Sequence, residues 1–106
     1  MILRTWHGRA DIHRSDAYPQ HFHTVVVPQL QGVAGFLGAE LVRRDRGDVV
    51  EFAVISRWAS IDAVRAFAGD DAGRAVVEPG AIAALRDFDE CVEHFEVVER
   101  VVVEPA

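Results

Sequence analysis

The chain has 106 residues, half of them hydrophobic, with 17 acidic against 11 basic side chains and a net charge of −6. That length fits one domain that buries its own core without a metal staple. The acid excess argues against a nucleic-acid binder, whose affinity rests on clustered cations. All the basic residues are Arg, and Asn is absent altogether. The single cysteine, Cys91, excludes an internal disulfide, and one Cys with scattered His lacks the spacing of a zinc site. No opening run resembles a signal peptide, and no stretch is long enough to span a membrane, so a soluble, cytoplasmic protein is expected.

The first predicted element is a strand from Ile2 to Arg9, rich in residues that suit a pleated surface. Ser15 or Asp16 can cap a helix whose stripe runs through Tyr18, Phe22, Val25, Val26, Leu30 and Val33. Pro28 lies too deep in it to be tolerated without a kink, and Gly32 and Gly35 end it. Phe36 to Arg44 and Val49 to Trp58 read as strands joined by a reversal at Asp45-Arg46-Gly47-Asp48. Ser60 caps a second helix with Ile61, Val64, Phe67 and Ala68 on its buried side and Gly69 at its end. Asp70 to Asp89 holds short helical pieces around Pro79-Gly80, chiefly Ala81 to Phe88, and Glu90 to Glu99 is a final strand.

The order strand, helix, strand, strand, helix, strand predicts an α+β, ferredoxin-like antiparallel sheet with both helices on one face. Its second face is half apolar, with Ala53 and Ile55 in the third strand, and a second copy of the sheet is its best cover. A homodimer is therefore expected. The core spans about residues 2 to 98 of a single domain covering 1 to 106, and the apolar tail Val101-Val102-Val103 can exchange between subunits.

Several passages carry a resemblance. Trp6-His7-Gly8, Pro28 with Gly35-Phe36-Leu37-Gly38, Phe52 to Trp58-Ala59-Ser60, and the closing Phe88-Asp89 with Val92-Glu93-His94-Phe95-Glu96-Val97 resemble the antibiotic biosynthesis monooxygenase family. The resemblance implies a dimeric α+β barrel, two ferredoxin-like subunits packed sheet to sheet. It also implies one of several chemistries: oxygenation of aromatic polyketides or quinols without a cofactor, or haem degradation. The Asn and Tyr of the anthrone-oxidising branch are replaced by Val54 and Val64, and the haem-degrading branch's Asn by His7, with no His between Ala72 and Pro79. Only Trp58 transfers directly.

The expected activity is thus a monooxygenase that uses O2 without a cofactor on a small planar aromatic or quinol substrate. The alternatives are a ligand-binding dimer of the same fold, and a haem binder or degrader, disfavoured for want of the axial His. Trp58 is either a core residue with its N–H satisfied or one wall of a pocket on which an aromatic stacks. His7 shares a strand face with Leu3 and Thr5. If Leu3 points to the helices, its imidazole enters the cavity of Trp58 and can take a substrate proton. Tyr18, Phe22 and Phe67 are further apolar walls. His94 is a second candidate: with Phe95 and Val97 facing the core, it lies on the opposite face, in the dimer interior near Arg4, Trp6 or Arg57. His21 and His23, some 200° apart on a helix, cannot share a metal ion and read as solvated.

Overall fold

A computed structural model describes residues 1–105; Ala106, the last residue of the expected domain, lies outside them. Strand β1 (Ile2–Asp11) lies inside an antiparallel sheet. On one side it pairs with β3 (Val49–Trp58), which pairs in turn with β2 (Phe36–Arg46). Its other side takes two short strands in succession, β4 (Asp87–Phe88) and β5 (Glu93–Glu96). This is the α+β, ferredoxin-like order expected, with the last strand broken in two.

The break has a local cause. Helix α4 (Pro79–Ala84) is shorter than the expected Ala81 to Phe88, because Leu85 turns extended and the Arg86 N–H is already bonded to Arg9 O on β1 at 2.7 Å. After β4 the chain leaves β1 and pairs with the irregular segment that precedes α4 instead. Ala75 N–H reaches Glu90 O at 2.8 Å, and Val92 N–H reaches Gly73 O at 2.9 Å. Backbone groups here are satisfied between two irregular segments rather than along one strand.

The first helical stretch runs as α1 (Ala17–His21), a π-helical turn (Phe22–Val26) and α2 (Val27–Gln31). Pro28 lies in the first turn of α2. Val27 N–H reaches back five residues to Phe22 O, and a turn widened in this way accommodates a ring that carries no N–H. The expected interruption thus takes the form of a wide turn. Helix α3 (Ile61–Ala68) starts where Ser60 Oγ accepts the Ala63 N–H at 3.2 Å, and ends at Gly69 with φ of 87°. Gly35, at φ of 89°, permits the approach of the β2 lead-in to α3, since a Cβ there would stand 2.7 Å from that of Ala63.

Which residues face the helices follows from one strand's phase. On β1 the buried set is Arg4, Trp6, Gly8 and Ala10, so Leu3, Thr5, His7 and Arg9 lie on the open face, opposite to the expected phase. On β3 Phe52, Val54 and Trp58 face the helices together with Val50 and Ser56, which leaves Ala53 and Ile55 on the other face as expected. The core comprises one cluster around Trp6, Tyr18, Phe22 and Phe52 and a second around Leu30, Trp58 and Val64. The open face carries Val42, Ala53, Ile55 and Phe95, the last of them 51% exposed, and the tail valines 101–103 are also exposed. Among the described residues no helix is long and apolar enough to cross a membrane.

Candidate active site

Between the sheet and the helices lies a cavity of about 60 Å³ that opens to solvent. Its apolar walls are Trp6 from β1, Tyr18 from α1, Phe67 from α3, Leu30 from α2 and Ala81 from α4. The Trp6 and Tyr18 rings stand 5.6 Å apart, tilted by 42°. Arg4, Ser56, His21 and Glu78 are its polar members, and Val76 and Val92 close it from the irregular segments.

Arg4 is the unusual group. It is 5% exposed, and among the described residues no carboxylate pairs with it. Its Nη1 donates to Ala72 O at 2.6 Å and to His94 Nε2 at 3.0 Å, while Nη2 donates to Arg74 O at 3.1 Å. Burial lowers its pKa to about 10, which leaves it a cation at neutral pH. A buried charge of this kind persists only where its donors are satisfied, and here backbone carbonyls satisfy them.

His94 lies opposite Arg4 in the sheet register and so on the helix face. This corrects the expected placement: His94 and Val92 turn inward, and Phe95 turns out. The physical reason is the phase of β1: Arg4 faces the helices, and the residue paired with it across the sheet must face the same way. The partner, Arg4, is among those expected, whereas Arg57 is on the open face paired with Glu40. Burial first and the charge of Arg4 second hold the His94 pKa below its ordinary value, so it is neutral and its Nε2 accepts.

His7 and Trp58 do not meet. His7 is on the open face, with Nδ1 3.7 Å from Asp89 Oδ2 and a side chain 48% exposed. Trp58 is wholly buried between Phe36 and Phe67, its Nε1 donating to Ser56 Oγ at 2.9 Å. Of the expected walls, Tyr18 and Phe67 line the cavity, and Phe22 packs in the core beside it. Burial, and secondly Glu78, push the Tyr18 pKa up, so its hydroxyl keeps its proton. The Trp that reaches the cavity is Trp6, with Nε1 fixed on Asp89 O at 2.8 Å.

Sequence reasoning missed Arg4 and His21. Arg4 was expected only beside His94 in the dimer interior, and it reaches the cavity because the phase of β1 is the reverse of the expected one. His21 borders the cavity, and its Nε2 is buried without a hydrogen-bond partner among the described residues. The two-residue spacing does separate it from His23, which is exposed, but only His23 is solvated. Gly80 makes room for the ring: a Cβ there would lie 2.6 Å from His21 Nδ1.

The sequence model of the family described as antibiotic biosynthesis monooxygenase matches residues 9–79. No curated protein matches the chain. Among solved structures it is similar to a monooxygenase from the gene ActVA-Orf6 of Streptomyces coelicolor in complex with nanaomycin D. Identity there is 16%, over 99% of this chain and 92% of that one, with a TM-score of 0.59. It is also similar to the haem-degrader MhuD of Mycobacterium tuberculosis with two haems in its active site, at 21% identity, 96% and 100% coverage and a TM-score of 0.57. A MhuD variant holding two manganese protoporphyrin IX molecules gives 20% identity, 97% and 100% coverage and a TM-score of 0.62. These porphyrin-bound structures overturn the expectation that a chain of this fold works with O2 and no cofactor.

Proposed function

Because the chain belongs to the antibiotic biosynthesis monooxygenase family, whose model covers residues 9–79, we propose that it is a monooxygenase acting on a planar aromatic substrate. The carrying observation is the cavity walled by Trp6, Tyr18 and Phe67. Rings stack or pack edge-on against such walls, and each aromatic pair contributes about 0.5–1.5 kcal/mol beyond the area it buries. His21 is the acid–base group in this reading. Its buried Nε2 has no partner among the described residues, and an imidazole can serve as a general base toward a phenol. Trp58 and His7 take no direct part; Trp58 holds the Phe67 wall in place.

The test is oxygen uptake with a panel of anthrones and dihydroxynaphthalenes. Turnover is expected with at least one of them, and its loss in Tyr18→Leu and His21→Ala. A folded protein that consumes no oxygen with any of the panel overturns the reading.

A second reading is favoured by one observation, the His21 Nε2 that has no partner among the described residues and would hold the iron of a porphyrin. Arg4 suits a carboxylate of such a ligand, whose iron would supply oxygen activation when bound. Haemin titration decides it: a Soret shift that disappears in His21→Ala supports this reading, and an unshifted Soret band removes it.

The working unit in either case is a homodimer through the open sheet face, whose apolar centre of Val42, Ala53, Ile55 and Phe95 is otherwise left to water.

A further inference from the structure

The guanidinium of Arg4 raises a question that the aromatic walls do not answer: what a buried cation without a counter-ion does beside a hydrophobic cavity. We propose that it is the receptor for a carboxylate, so that the ligand class of this site is the planar aromatic acid. The proposal rests on the aromatic-pocket reading above and narrows its ligand.

An isolated buried cation costs far more than a neutral polar group, and proteins ordinarily pair it with an acid. Here the acceptors are two neutral carbonyls, Ala72 O and Arg74 O, and a neutral imidazole, His94 Nε2. None of them neutralises the charge. The acid that does border the cavity, Glu78, is committed elsewhere, its Oε2 accepting from Gln29 Nε2 at 3.1 Å. The lining thus holds one buried cation and one partly buried acid, and only the cation attracts an anionic ligand.

The geometry selects a carboxylate among anions. Nη1 and Nη2 each already donate to a separate oxygen, and a carboxylate offers two oxygens to such a fork. Both carbonyl acceptors belong to the irregular segment between α3 and α4, which also contributes Val76 and Glu78 to the wall. A carboxylate that reaches those donors competes with this segment, which keeps its backbone bonds to Glu90 and Val92.

The test is a titration of the full-length protein with 2-naphthoate and with the neutral, similarly shaped 2-naphthamide, followed by calorimetry. The acid is expected to bind roughly tenfold or more tightly than the amide, the usual worth of a charge-assisted hydrogen bond. In Arg4→Met this preference falls to about unity while the amide still binds. Should that variant fail to fold, the wild-type protein suffices: ¹⁵N resonances of the Arg4 guanidinium are expected to move with naphthoate and not with naphthamide. Equal affinities in the wild type, an unmoved Arg4 resonance, or a preference kept in Arg4→Met each overturn the proposal. Oxygen uptake with neutral aromatics but no preference for acids would sink this inference and leave the monooxygenase reading intact. Preference for the acid in a protein that consumes no oxygen would do the reverse.

Discussion

Arg4 and His94 face each other across β1 and β5, with Nη1 donating to Nε2 at 3.0 Å. The pair couples the inner edge of the cavity to pH. Burial, then the charge of Arg4, lowers the His94 pKa in the folded protein, so the unfolded chain binds that proton more readily. The stability contributed by the neutral imidazole is full above the unfolded value of about 6.5 and is lost as pH falls through the folded one. Melting temperature is therefore expected to drop as pH falls below about 6.5. His94→Gln, which keeps an acceptor for Arg4 without titrating, should drop less. Parallel melting curves against pH for the two proteins would refute the coupling.

Trp58 is expected to matter to stability and not to ligand contact. It is fully buried, and Trp58→Ala should cost about 3–5 kcal/mol in a denaturant titration. Ligand-dependent fluorescence changes should come instead from Trp6. A Trp58→Phe protein that retains the full change supports this assignment; one that loses it places Trp58 at the ligand.

His7→Ala is expected to leave aromatic ligand affinity within about twofold of wild type, because its side chain and the cavity lie on opposite faces of the sheet. Tyr18→Leu, by contrast, removes one wall and should weaken binding. Calorimetry on the two variants checks the contrast.

Gly80→Ala brings a methyl group to within 2.6 Å of His21 Nδ1, so the imidazole must move or α4 must shift. Overpacking of this kind costs about 1–3 kcal/mol. The expected result is a lowered melting temperature together with altered oxygen uptake, and a variant indistinguishable from wild type in both would show that the contact yields freely.

The open face gives a further prediction. Ile55→Asp places a charge at its centre, and sedimentation at micromolar concentration should show a dimer for the wild type and a monomer for the variant. A monomeric wild type would refute the pairing.

Much of this architecture is written in local sequence. Ser60 and Gly69 bound α3, Gly47 sits at the tight reversal between β2 and β3, and the inward set of β3 follows from simple alternation. Each depends on neighbours a few residues away. Tyr18 and Phe67 were legible as cavity walls for the same reason, standing on the buried stripes of their helices.

The phase of β1 was not legible, and most of the site depends on it. Period-two alternation offers two solutions, one burying Leu3, Thr5 and His7 and the other Arg4, Trp6 and Gly8. The first avoids burying a charge and looks the cheaper in isolation. The second prevails because carbonyls of Ala72 and Arg74, about seventy residues away in sequence, satisfy the guanidinium. His94 follows Arg4 through register, and His21 is enclosed only because α4 packs Gly80 against it. Sequence alone determined the elements and their order, since caps, turns and alternation act over short range. Tertiary structure decided which residues share the cavity, since the acceptors that make a buried cation tolerable come from distant parts of the chain.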